Sequence, residues 1–260
     1  MKLSFRGIRI TILLMILVVV ALNTWLGILR TTDWDHPLWI VIYPLNGDGS
    51  QLSAERIGRL DIRDFDPIKT FLQREARAHG VTIERPVVLQ LGSEVTTKPP
   101  VTPQVDDNPL KIALWSLQMR WWAWRAENYT GPRADIRLFV EYHAHGDHQG
   151  PLENSFGLQK SRISVSRLYA GRGMRSRNLV VMTHELLHTL GASDKYDYAT
   201  LQAHYPQGFA DPQQQPRYPQ RRAEIMAGRI PIDADSSSMP ASLQSCMVGP
   251  LTAAEIGWGK

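Results

Sequence analysis

The sequence predicts an α/β (α+β) fold: a mixed, twisted sheet and a helix bearing paired histidines, preceded by one N-terminal membrane helix. Three observations predict it. Short β-branched runs alternate with helix-periodic segments between residues 37 and 190. A stretch of twenty uncharged residues, Ile10 to Leu29, stands ahead of them. The last helical segment, Asn178 to Leu190, carries two histidines four residues apart.

At a rise of 1.5 Å per residue, the uncharged stretch spans about 30 Å, the hydrocarbon thickness of a bilayer. Lys2, Arg6 and Arg9 precede it, Arg30 follows it, and no acid occurs among residues 1–30. The formal charge of +4 therefore sits in this segment, leaving 25 bases and 25 acids beyond it. A charge-balanced remainder gives no ground for a nucleic-acid partner. The leading cations hold the N-terminus in the cytoplasm and send the rest to the periplasmic or extracytoplasmic side, with Trp25 near the far interface. A cleaved signal peptide is the rival reading. Its apolar region is shorter, roughly 7–15 residues, and ends in a small-x-small site, whereas Asn23-Thr24-Trp25 follows here. The expected division is residues 1–30 as cytoplasmic tip and transmembrane signal anchor, and residues 31–260 as one folded domain. Cys246 is the only cysteine, so no intramolecular disulfide forms, and a small buried apolar side chain is the expected role.

Residues 37–45 (PLWIVIYPL) read as a buried strand bounded by the turn Asn46-Gly47-Asp48-Gly49. Asp66-Pro67 reads as an N-cap followed by proline at the first helical position, Ile68, Phe71, Leu72 and Ala76 repeat at helical spacing, and Gly80 marks the end. A second strand follows at 87–92, then a loop over 95–108. Asn108-Pro109 opens a helix to about Ala126 that carries Trp115, Trp121, Trp122 and Trp124. Packing against a sheet is the expected role of these rings, and an aromatic face for a partner or membrane is the alternative. Residues 136–142 alternate as a third strand, and a loop with Gly146, Gly150, Pro151 and Gly157 follows. The strand around Ile163 and Val165 is polar on one side, which predicts an exposed edge.

Residues 184–188 read His-Glu-Leu-Leu-His, with Leu179, Met182, Leu186, Leu187 and Leu190 at helical spacing. His184 and His188 therefore project from one face, one turn apart, and can fill two corners of a tetrahedral zinc site. Glu185 lies beside that position and can take a proton from the attacking water and return it to the leaving amine. Gly191 tolerates left-handed dihedrals and lets the chain turn sharply out of the helix, so a residue three positions on, Asp194, can return as third ligand.

The string His184-Glu-x-x-His188-x-x-Gly191-x-x-Asp194 resembles the extended zinc signature of metzincin-type peptidases, with aspartate in place of the usual third histidine. Ending in Asp194-Lys195-Tyr196-Asp197, it is also similar to immune-inhibitor-A-type metallopeptidases. Ala223-Glu224-Ile225-Met226-Ala227-Gly228 resembles the Met-turn, and residues 251–258 resemble the final helix of those domains, where Thr252 and Glu255 match a capping-box pattern. The resemblance implies a zincin/metzincin-like catalytic domain, Zn2+ as cofactor, and endopeptidase activity on a peptide or protein substrate running antiparallel to an edge strand. No tyrosine follows Met226 at the position many metzincins use, and a Gln- and Pro-rich connection, 200–222, precedes the Met-turn-like segment.

Two other carboxylates compete as third ligand. Glu224 matches the distant glutamate of the gluzincin arrangement, and Asp197 is a ligand or a group orienting a histidine. His143, His145, Asp147 and His148 form a second cluster that reads as a strand end and solvated loop, with a structural metal as alternative. Tyr196, Tyr198, Tyr205 and Tyr218 are candidate donors to an oxyanion. Met226 is expected as an apolar floor beneath the ligands. The expectation is a membrane-anchored zinc metallopeptidase with His184, His188 and Asp194 on the metal and Glu185 as general base. The alternatives are a non-catalytic zinc-containing peptide-binding or scaffold protein of the cell envelope, and a zinc amidase acting on a non-protein amide.

Overall fold

Leu38–Asn46 (β1) is apolar on both sides because it lies inside a sheet covered on both faces. The computed structural model describes residues 5–103, 108–144 and 155–259. Its main sheet has five strands in the order β2-β1-β3-β5-β4, with β2 at Val87–Leu91, β3 at Ile136–His143, β4 at Phe156–Leu158 and β5 at Ile163–Tyr169. The first four in that order run parallel, and β4 pairs antiparallel with β5. This is the mixed α/β sheet that the alternation of elements predicts.

The two-residue period of β1 divides the core. Leu38, Ile40 and Ile42 face a layer with Ile68, Phe71 and Leu72 of α3 (Asp66–Ala78) and Leu179, Leu186 and Leu187 of α5 (Arg175–Leu190). Val41, Tyr43 and Leu45 face the other side, where Trp115, Met119 and Trp122 of α4 (Pro109–Ala126) cover them. A short helix, α2 (Gln51–Gly58), lies on the first face, capped by Ser50, whose side chain accepts from the Ser53 amide. It escapes the periodicity because Leu52 and Ile57 are its only large apolar residues.

Three further local expectations are corrected. The strand at 163–169 is not the edge: β4, in a segment read as loop, takes that position, and Ser164 and Ser166 are buried. They lie on the strand face turned away from Ile163 and Val165, which join the α4 layer. The final helix, α6 (Pro250–Glu255), begins after Gly249 and has no capping box; Thr252 and Glu255 bond elsewhere. Asp66, expected as the N-cap of α3, is instead its first residue; the chain enters through a 3-10 turn, Ile62–Phe65, whose own capping box is Asp61 with Asp64.

The N-terminal helix α1 (Phe5–Thr32) is long and apolar enough to cross a membrane. Its last turns dock on the rest of the chain. Arg30 pairs with Asp135 at 2.8 Å, the Trp34 indole donates to the Ile256 carbonyl at 2.7 Å, and the Trp34 and Trp258 rings meet at 5.5 Å. Cys246 is buried and unpaired, as expected, and burial pushes its thiol up to about 12.

Trp258 is fully buried between the rings of Trp34 and His79. Trp258→Ala is expected to cost about 3–5 kcal/mol, read as a lower denaturation midpoint of the full chain in detergent. An unchanged midpoint would show that this contact does not hold α1 to the fold.

Candidate metal centre

Helix α5 carries His184 and His188 on one face and ends at Gly191, whose φ of 109° turns the chain back toward that face. The return brings Asp194 to the histidines. His184 Nε2 lies 3.0 Å and His188 Nε2 3.2 Å from Asp194 Oδ1, and the two nitrogens are 3.1 Å apart. A tetrahedral ion with bonds of about 2.0–2.1 Å separates its ligand atoms by about 3.3 Å, so the triangle has the edge lengths of three corners of such a site.

The tautomers make the same point. His184 Nδ1 lies 2.9 Å from the Ile225 carbonyl and His188 Nδ1 2.8 Å from the Ala192 carbonyl. A carbonyl only accepts, so each Nδ1 carries a proton and the neutral ring holds its lone pair on Nε2. Asp194 Oδ1, although close to both nitrogens, has no hydrogen-bond partner. Three electron-rich atoms thus converge, and a cation or an added proton must reconcile them. Burial opposes the charged form of His184, but Asp194 and the charge of Glu185 outweigh it and push its pKa up to about 9. Burial also opposes ionisation of Asp194, yet the two imidazoles hold it well below the usual carboxylate range.

The loop bearing Asp194 is braced on both sides. The buried Lys195 ammonium donates to the Ser193 carbonyl and to Glu255 of α6 (2.8 and 2.7 Å), and the Lys195 amide donates to the Met226 carbonyl at 3.0 Å. Glu255 also accepts from the amide and hydroxyl of Ser193. Tyr198 donates to the other oxygen of Asp194, Oδ2, at 2.6 Å. The sequence names neither Lys195 nor this use of Glu255, which lie sixty positions apart. The only available signal is their place in the two segments carrying the family resemblance.

The rival third ligands are engaged elsewhere. Glu224 is fully buried and accepts four hydrogen bonds, from the amides of Met226, Ala227 and Gly249 and from the Thr252 hydroxyl. It ties the Met-turn-like segment to the start of α6. Burial pushes its carboxyl up despite these donors. Asp197 is exposed and caps a turn at Ala199 and Thr200, and the histidine nitrogens it was expected to orient are held by backbone carbonyls instead. Met226 is fully buried in the same core layer as Leu186 and Leu187. Tyr205 and Tyr218 pack on Phe209, away from the cleft. In the second cluster, His143 ends β3 beside Glu141, while His145, Asp147 and His148 lie outside the described residues.

A cleft of about 320 Å³ opens over the triad, lined by Ser155, Phe156 and Gly157 on one side and by Glu185, Tyr196 and Tyr198 on the other. Gly157 is glycine because β4 crosses α5 closely: a Cβ there would strike the Glu185 carbonyl and the His188 side chain. Glu185 is buried and its Oε2 has no partner. Burial pushes its carboxyl up, against the opposing pull of the two histidines. Burial and the nearby charges of Asp194 and Glu185 push Tyr196 up to about 12, so its hydroxyl stays neutral.

No protein-family model matches the chain, and no curated protein matches it. A solved chaperone–substrate complex is similar at 14% identity and a TM-score of 0.38, over 85% of this chain and 34% of that one. The chain thus spans about a third of that structure's length, and a likeness this low carries no argument.

Asp194→Ala is expected to abolish stoichiometric binding of a divalent metal, measured by elemental analysis after dialysis. Glu224→Ala should keep the metal in folded protein while losing stability, because it strands donors worth about 1–3 kcal/mol each. Metal retained in the first variant and lost in the second would reverse the ligand assignment.

Proposed function

We propose that this chain is a membrane-anchored, zinc-dependent peptidase of metzincin-like type, with its cleft on the periplasmic or extracytoplasmic side. The observation that carries the reading is the convergence of His184 Nε2, His188 Nε2 and Asp194 Oδ1 beside a buried carboxylate, Glu185, whose Oε2 has no partner. Two imidazoles and a carboxylate suit zinc, and three protein ligands leave a fourth position for a substrate or water, as a catalytic site requires. Bound there, zinc supplies a Lewis acid that lowers the pKa of water from 15.7 to about 7.

The chain's own residues supply the rest. Glu185 takes the proton of the attacking water, whose oxygen adds to the scissile carbonyl carbon, and returns that proton to the amine as the C–N bond breaks. Its raised pKa brings the carboxyl nearer to neutrality, which suits a group that both accepts and gives a proton. Tyr196 offers a neutral hydroxyl at the cleft wall to the oxyanion that develops on the carbonyl. Strand β4, the sheet edge lining the cleft, offers backbone groups to an extended peptide. Helix α1 supports anchoring, and its length and charge bias favour retention over cleavage.

Glu185→Gln is expected to lower kcat/KM on a cleaved peptide by about 10²–10⁴-fold with zinc content unchanged. A peptide-library assay with parallel metal analysis checks this. A silent substitution would favour a peptide-binding or scaffold role, and a zinc-loaded wild-type protein that cleaves no peptide would count against peptidase activity.

A further inference from the structure

Helix α4 carries large apolar residues on two opposite sides, and a helix of that kind is ordinarily covered on both. It is covered on one side only. Trp115, Met119, Trp122, Ala123 and Ala126 pack into the sheet. On the opposite side Leu110, Leu114, Leu117, Trp121 and Trp124 stand 72%, 61%, 61%, 59% and 67% exposed. Their spacing of four, three, four and three residues aligns them in one continuous stripe about four turns long. Contiguous apolar surface on this scale marks an interaction site.

Charge selects the occupant. Helix α4 contains Lys111, Arg120 and Arg125 and no acid. The stripe has the spacing of a coiled-coil seam, but in a pair of such helices the positions flanking it would set cation against cation. A Leu- and Trp-rich stripe whose flanking charges are all basic instead fits the headgroup layer of an anionic membrane, with Trp at the boundary and Arg125 within reach of lipid phosphates. Arg125 already lies over the Trp121 ring, 5.1 Å from its centroid, joining a cation to the apolar face.

Topology brings the C-terminal end of this stripe close to the end of α1. Arg30, at the end of α1, pairs with Asp135 immediately before β3. Glu127, the residue after α4, pairs with Arg137, the second residue of β3, at 2.8 Å. Helices α1 and α4 therefore both end beside the start of β3, with their anchoring partners two residues apart. Trp121, Trp124 and Arg125 lie at that end.

We infer that the outer face of α4 rests in the interfacial layer of the anionic membrane that α1 enters, giving the domain a second contact that fixes its orientation over the bilayer. This rests on the reading of α1 as an anchor and is independent of the metal. The test uses the full chain in phosphatidylcholine–phosphatidylglycerol vesicles, with an environment-sensitive fluorophore on Leu117→Cys. Cys246 is buried and stays unlabelled. A Glu55→Cys label on α2, on the opposite face of the sheet, is the control. The 117 label should shift to the blue and lose most of its emission when the lipids carry brominated chains, while the 55 label does neither. A 117 label that stays wet and unquenched on chains that float with the vesicles would overturn the α4 contact and leave the anchor standing. A dry label that lipid does not quench, with energy transfer between labelled copies, would overturn it in favour of self-association. A chain that does not float with the vesicles would overturn the anchor and this contact together.

Discussion

The structure around the cleft turns on two hydrogen bonds that fix the histidine tautomers. Once His184 and His188 donate Nδ1–H to the carbonyls of Ile225 and Ala192, their Nε2 lone pairs have only each other and Asp194 to face. Electrostatics forbids that arrangement without a positive charge at its centre. The second carbonyl comes from the turn that Gly191 makes possible, and the first from the Met-turn-like segment. The surrounding architecture holds these elements against α5: Glu224 gathers residues 224–227 to α6, Lys195 and Glu255 clamp the loop carrying Asp194, and Gly157 lets β4 close the cleft. The carboxylates of Glu224 and Glu255 thus act as braces, whereas the buried Glu185 beside the histidine pair keeps an unpartnered oxygen.

Much of the fold was legible because its strands and helices are strongly periodic. The β1 run, the α3 and α4 helix starts and the turn at Gly191 follow from local chemistry: β-branched residues, proline in the first turn, glycine at a left-handed position. The histidine pair was legible for the same reason, since four residues is one helical turn. The approach of Asp194 to the histidines was legible only through the turn that precedes it and the resemblance that string carries.

What escaped the sequence depends on distant partners. The three residues of β4 are too few to show a period, and only pairing with β5 makes them a strand. Ser164 and Ser166 looked solvent-facing because their polarity says nothing of the helix that covers them. Thr252 and Glu255 have the spacing of a capping box, yet each is drawn away by a buried partner, Glu224 and Lys195. On α4, Trp121 and Trp122 are adjacent in sequence and point to opposite environments, so tryptophan content alone could not separate core from surface.

The most direct test of the account is X-ray absorption at the zinc edge of the reconstituted full chain. A site formed by His184, His188 and Asp194 gives four-coordinate zinc with two imidazole nitrogens at about 2.0–2.1 Å and carboxylate or water oxygens at about 2.0–2.2 Å. A sulfur shell at about 2.3 Å, which only Cys246 or a methionine could provide, would contradict it. So would a spectrum with one imidazole or none.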